Sequence, residues 1–153
     1  MFNEATWKTG ELETQKYMKK CGYKILYTNY SCANVELDIV AICPVKVQKK
    51  SLKLDLKRKL KDKKNCKIAP KILKNSYKMA INDLKDILVI TEVKARTSSD
   101  YGEGVYAITS SKENHIRRGA NYLLKQNQFS NLQVRFDVSS VDGGKINYIE
   151  NAF

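Results

Sequence analysis

Asp86-Ile87-Leu88-Val89-Ile90-Thr91-Glu92-Val93-Lys94 is an aliphatic run that ends in two charges. Its β-branched content and length predict a strand. Alternation puts Leu88, Ile90, Glu92 and Lys94 on one face and Ile87, Val89 and Val93 on the other. A strand apolar on both faces belongs in the middle of a sheet, under helices. A carboxylate and an ammonium there are costly unless they pair or hold a metal. For this dyad alone, a cross-strand ion pair and a metal site are equally good readings.

Upstream, Asn3 to Lys20 reads as a helix, with Thr14, Met18 and Cys21 on one face, Tyr17 beside them and Gly22 as its stop. Glu11 lies along that inward face, where helical spacing alone favours a rim charge reaching water. Tyr23 to Tyr30 reads as a strand, Ser31 to Asn34 as a turn, and Val35-Glu36-Leu37-Asp38-Ile39-Val40-Ala41-Ile42 as the hairpin partner. Here Glu36 and Asp38 are expected to share a face with Val40 and Ile42. Downstream, Arg96 to Gly104 reads as a polar loop, with Tyr101-Gly102-Glu103-Gly104 either a plain surface loop or a flap. Ser110 or Ser111 is expected to cap a helix running to about Gln126, with Glu113 as a partial capping box. Leu132 to Val141 and Lys145 to Ile149 read as strands joined at Asp142-Gly143-Gly144. The order α-β-β-(insert)-β-α-β-β predicts an α/β (α+β) fold, with helices over one mixed sheet in a single domain spanning 1–153.

The chain has 153 residues, 42% of them apolar and 29% charged, which suits one globular core. No apolar run approaches the ~20 residues that span a bilayer. Glu4, Lys8, Glu11 and Glu13 interrupt any secretory segment, so a cytoplasmic protein without a membrane partner is expected. Cys21, Cys32, Cys43 and Cys66 form no zinc spacing and read as reduced thiols.

The net charge of +12 is concentrated in one place. Residues 46–85 hold 15 Lys/Arg against 3 Asp/Glu, while the other 113 residues hold 13 of each sign. This segment reads as an insertion between two strands. Lys50 to Lys57 fits a half-exposed strand or a helix equally well, and a helix is expected from 70 to 84, with Pro70 in its first turn. Lysine outnumbers arginine there 14 to 1, the composition of an electrostatic grip rather than a base reader. A solvated charge run is the alternative. No RNA-stacking motif is present.

Asp38 and Glu92 fall on strands expected to be neighbours, and two such carboxylates repel unless a cation lies between them. Oxygen ligands without histidine suggest Mg²⁺ or Mn²⁺, with the Val93 backbone carbonyl completing the set. Lys94 reaches the same spot. An acidic residue on the first helix, Asp on a strand and Glu-x-Lys on the next resembles the PD-(D/E)xK restriction-endonuclease-like superfamily. More narrowly, the chain resembles the YraN-like family of predicted endonucleases, relatives of archaeal Holliday-junction resolvases. The resemblance lies in Gly10-Glu11; Gly22 to Leu26 with Asn29; Glu36 to Ala41; Ile90 to Arg96; Tyr101-Gly102; Lys112; Ala120 to Leu123; Arg135 to Val138; and Asn151-Ala152-Phe153. It departs at Val35, where the family usually has glycine, and at 46–85, where the family has a short turn.

The resemblance implies metal-dependent phosphodiester hydrolysis, by superfamily analogy in structured or branched DNA rather than RNA. Asp38 and Glu92 would ligate the metal, Lys94 would serve the water and the phosphate, and Glu11 would help through a water or a second metal. This replaces the rim-charge reading of Glu11. Lys112, Arg96, Arg117, Arg118, Lys57, Arg58 and Lys59 are the expected nucleic-acid contacts, and the likeness to dimeric resolvases carries the expectation of a homodimer. Asp137 is expected to be structural, bonded within the sheet or to an arginine, and His115 and Glu36 to be surface residues. Two other classes stay open: a non-catalytic nucleic-acid-binding module, and a scaffold whose basic insert binds an acidic protein or a membrane surface.

Overall fold

The computed structural model describes residues 4–32, 34–62, 69–96, 108–126 and 128–153, for 4–7 and 96 the backbone alone. Cys66 and the loop Tyr101 to Gly104 lie outside the described residues. The elements are α1 (Glu4–Cys21), β1 (Lys24–Cys32), β2 (Val35–Cys43), α2 (Val45–Lys61), α3 (Pro70–Asn82), β3 (Ile87–Arg96), α4 (Ser110–Leu124), β4 (Gln133–Asp142) and β5 (Lys145–Ile149). The strands form one mixed sheet in the order β1-β2-β3-β4-β5. Only β3 and β4 run parallel, and α4 makes the crossover that a parallel pair requires.

β3 is the central strand, as its aliphatic run predicts, and Leu88, Val89 and Ile90 are buried. Leu88 and Ile90 pack with Val40 against Ile116, Ala120 and Leu123 of α4. Val89 packs with Ile39 and Ala41 against Met18 of α1. Two glycines set how closely the helices approach. A Cβ on Gly10 would stand 2.6 Å from the Ala95 Cβ, and one on Gly119 would stand 2.9 Å from the Leu37 Cδ2. Without Gly10, α1 would have to back away from β3; without Gly119, the Leu37 side chain would have to shift.

The polar part of the core is paired. Asp137 is fully buried on β4. It accepts Arg135 Nε at 2.8 Å, Arg135 Nη2 at 2.7 Å, the Tyr148 hydroxyl at 2.8 Å and the Asn151 N–H at 2.9 Å. Arg135 also donates to the Tyr23 hydroxyl, 2.6 Å away, and lies 3.2 Å from Glu150. Asp137 is therefore structural and bound to an arginine, as expected. The Tyr148 and Asn151 bonds join β4 to β5 and to the residues that follow. Gly143 and Gly144 both have positive φ (52° and 81°), the geometry that a two-residue hairpin turn needs.

The open choice in the lysine-rich segment resolves as helix. α2 covers Lys50 to Lys57, and α3 begins at Pro70 and ends at Asn82, short of 84. The two form a helical hairpin: Tyr77 donates to Asp55, and Lys59 lies 3.2 Å from the same carboxylate. At its base Asp86 accepts the Val45 N–H at 2.8 Å, a carboxylate at a helix N-terminus. Gln48 donates to the carbonyls of Cys43 and Lys85 at 3.2 and 2.7 Å. The cap of α4 is Thr109, not Ser110 or Ser111. Its extended backbone (φ −66°, ψ 148°) lets its hydroxyl accept the Lys112 N–H at 3.3 Å. Among the described residues no helix is long and apolar enough to cross a membrane.

The glycine contact can be measured by a double-mutant cycle. Gly10→Ala and Ala95→Gly are each expected to destabilise the protein, and the double variant to recover about 1 kcal/mol or more relative to their sum in urea unfolding. Strict additivity would show that α1 does not rest against β3 at this point.

Candidate functional site

The site forms where the β2–β3 ladder ends. The paired residues run from Cys43 and Ile87 to Ile39 and Thr91. One step further, Asp38 replaces a backbone partner: its Oδ2 accepts the Val93 N–H at 2.7 Å. The N–H and C=O of one extended residue point to the same side, so the Val93 carbonyl also faces the Asp38 side.

This corrects the face assigned to Asp38 from the sequence. Strict alternation would put Asp38 with Val40 and Ile42, and Leu37 with Ile39. Instead Leu37 packs in the α4 cluster and Ile39 in the α1 cluster. Between Thr28↔Ile39 and Tyr30↔Leu37, the residue opposite Asp38 is Asn29, whose φ of 50° is left-handed. The kink breaks the two-residue period, so Asp38 reaches sideways to β3. Glu36 is exposed, as expected.

Glu92 is 9% exposed and on the α4 side, where alternation predicts it. Its Oε2 lies 3.1 Å from Lys112 Nζ in the first turn of α4. Glu11, 6% exposed, reaches the site from α1 and accepts Asn29 Nδ2 at 3.0 Å. Burial followed by the charge of Asp38 pushes the Glu92 carboxyl up to about 7, against the pull of Lys112 and Lys94. Burial also raises Asp38, opposed by the Val93 N–H and then by Lys112. Glu11 is raised by burial, opposed by its Asn29 bond, with Asp38 and Glu36 adding repulsion. Two buried carboxyls, Glu11 and Glu92, thus sit with the half-buried Asp38, and the lysine charges offset their burial and repulsion only in part.

The donor set is oxygen only: the Asp38 and Glu92 carboxylates and the Val93 carbonyl. Among the described residues no three His, Cys, Asp or Glu groups are placed to hold a metal together. Two carboxylates and a carbonyl suit a hard divalent cation that keeps several of its waters, as Mg²⁺ does, and not a metal that prefers nitrogen or sulfur. Glu11 is near enough to raise its own pKa through Asp38 but is not a third direct ligand of such a set.

Lys94, half-buried beside Ser140 of β4, is close enough for its charge to act on the Glu92 carboxyl. The remaining expected residues are scattered. Arg117 stacks over Phe136 and Phe153, its guanidinium carbon 4.8 and 5.5 Å from the ring centres. Arg118 and His115 are exposed on α4. The Arg96 side chain lies outside the described residues. Lys57, Arg58 and Lys59 are on α2, which leaves β2 at Cys43, five residues from Asp38 or ~17 Å along the strand. The structure does not bring them to the carboxylates. Sequence reading gave no role to Asn29, Gly10 or the buried Thr14–Ser139 hydroxyl pair at 2.7 Å. A glycine inside a helix beside Glu11 is the one signal that points to the close approach.

The sequence model of the Uncharacterised protein family UPF0102 matches residues 10–74 and 68–141, two stretches that overlap within the lysine-rich segment. A UPF0102 protein of Clostridium perfringens is 28% identical over 158 residues, covering 99% of this chain and 96% of its own. One of Caldicellulosiruptor saccharolyticus is 28% identical over 151 residues, with 95% and 93% covered. One of Saccharophagus degradans is 40% identical over 67 residues, with 43% and 57% covered.

The raised carboxyls have a consequence for stability. A folded carboxyl that holds its proton up to about pH 7 favours folding below the ordinary carboxylate range. That contribution is lost as pH rises through 7. Glu92→Gln is therefore expected to gain stability over the parent on going from pH 5 to pH 8, by on the order of 2 kcal/mol in urea unfolding. An equal difference at both pH values would show that Glu92 is not held above its ordinary range.

Proposed function

The chain belongs to the UPF0102 family, the YraN-like family its motifs resemble, and we propose that it is a metal-dependent nuclease-like enzyme that hydrolyses phosphodiester bonds, in structured or branched DNA above all. The observation that carries this reading is the meeting of Asp38, Glu92 and the Val93 backbone at the end of the β2–β3 ladder, with Lys94 and Lys112 as the nearby cations. Two desolvated carboxyls that repel each other are poorly suited to a purely structural role and well suited to a cation.

In this reading Asp38, Glu92 and the Val93 carbonyl would hold Mg²⁺ or Mn²⁺, which when bound would supply Lewis acidity toward a water and the phosphate. Lys94 neutralises the charge that builds on the phosphoryl oxygens and orients the attacking water. Lys112 exchanges Glu92 for a substrate phosphate at the start of α4, where backbone N–H groups and the helix dipole also favour an anion. Glu11, fixed by Asn29, positions a water or serves a second metal. The reading places the protein in the cytoplasm and, by analogy with resolvases, makes a homodimer its working form.

Asp38→Ala and Lys94→Ala are expected to lower Mg²⁺-dependent cleavage of a four-way DNA junction by about 10²-fold or more while leaving junction binding within a few-fold of the parent. Binding by the parent without any metal-stimulated nicking would sink the enzymatic reading and leave a nucleic-acid-binding module. The metal has a readout of its own. At pH 8, Mn²⁺ at ~100 times its dissociation constant is expected to stabilise the parent by ~2.7 kcal/mol, with the effect largely lost in Asp38→Asn. Equal stabilisation of both proteins would place the ion elsewhere.

A further inference from the structure

Five lysines of the inserted hairpin share one side of α2. Lys46, Lys49, Lys50, Lys53 and Lys57 line a single shallow groove on α2, with Leu54 among them. Their spacing is that of one helix face, and all five are exposed. The side that carries Asp55 and Lys59 faces α3, where Tyr77 donates to Asp55 and Lys59 lies 5.6 Å over the Tyr77 ring. Lys59 is thus held within the hairpin, and Arg58 lies outside the groove. From Lys46 to Lys57 the helix rises ~16 Å, so the stripe carries about one positive charge per 4 Å. One strand of duplex DNA carries a negative charge every 3.4 Å along its axis.

We propose that this α2 stripe is a second grip for duplex DNA, binding the sugar-phosphate backbone beyond the catalytic carboxylates. It rests on the nuclease reading only for the choice of DNA as the polyanion. Lysine, a point charge on a flexible stem, suits backbone neutralisation without base reading. A bilayer is the poorer fit. A helix lying in a membrane surface needs an apolar face to insert; the side of α2 that bears Leu52 and Leu56 is half-buried, and the stripe itself offers only Leu54. The hairpin leaves the sheet at Cys43 and returns at Ile87, the end of the ladder remote from Asp38 and Glu92. A duplex held by the stripe therefore extends past the cleavage position, and the stripe strengthens binding without touching the scissile phosphate.

The test compares the salt dependence of binding to a 30-base-pair duplex, using the full chain. Lys49→Gln/Lys53→Gln/Lys57→Gln is expected to reduce the slope of log K against log salt by ~3. Lys19→Gln/Lys20→Gln/Lys125→Gln, which removes the same charge from exposed lysines elsewhere, is expected to change it by less than ~1. Unchanged far-UV helicity and urea midpoint show that both variants are folded. Equal slopes in the stripe variant and the parent would overturn the grip, as would a loss confined to binding of phosphatidylserine vesicles. The two readings fail separately. A smaller slope in the stripe variant with no cleavage by the parent retains the grip and removes the nuclease. Unchanged slope with metal-dependent cleavage does the reverse.

Discussion

The hydrogen bond from the Val93 N–H to the Asp38 carboxylate, 2.7 Å long, is the constraint on which the site depends. It extends the β2–β3 ladder by one rung using a side chain instead of a carbonyl. Because the ladder below it is regular from Cys43↔Ile87 to Ile39↔Thr91, the bond leaves Asp38 little choice but to lie beside Glu92. The resulting repulsion and desolvation are unfavourable in the folded state. The fold tolerates them because the central strand is held from both faces by helices, and because Lys112 and Lys94 offset part of the charge. A strain of this kind, maintained by the surrounding structure, is characteristic of functional sites.

Topology then decides what else can reach these carboxylates. β3 and β4 are parallel, so the chain must cross over between them, and α4 is that crossover. It begins on the side where β3 ends, which puts its first turn, with Lys112, over Glu92. Open sheets tend to place ligands at the carboxyl ends of their parallel strands for the same reason. On the other face α1 approaches β3 through Gly10 at Ala95, which brings the next residue, Glu11, to the same end. One glycine thereby converts a helix that would merely cover the sheet into one that contributes a carboxyl. The Arg135–Asp137 pair has a different part. Its bonds to Tyr23, Tyr148, Glu150 and Asn151 are made within the molecule, so it fastens β4 and β5 beneath the site.

Much of this was legible in the chain because hydrophobic period and charge disagree at a few positions. A carboxylate and an ammonium at the end of Ile87 to Ile90 have no ordinary place in a central strand, and Asp38 is the matching anomaly on β2. Element types followed from periodicity, and the 142–144 turn from its glycines. What was not legible depended on local departures from period. The left-handed Asn29 shifts the face of Asp38, and no two-residue pattern records such a kink. Lys50 to Lys57 alternates like a strand, yet the Leu52-Leu56-Leu60 spacing decides for helix once α3 offers a partner. Lys57, Arg58 and Lys59 are adjacent in sequence, but on a helix they point in three directions, and only Lys57 joins the stripe.

The insertion lies at the Cys43–Ile87 end of the ladder because chain direction puts the β2–β3 connection there, away from Asp38 and the Val93 bond. At the Cys43–Ile87 end it leaves the register intact, since the added chain begins and ends at an antiparallel pair already closed. The entropy of a longer connection rises slowly with its length. Asp86 and Gln48 tie its base to the sheet, and the hairpin finds its other contacts mainly within itself. The domain can thus acquire a large positive charge without altering the geometry of its carboxylates. Affinity for a polyanion and chemistry at the site become separable properties of different ends of the same strands.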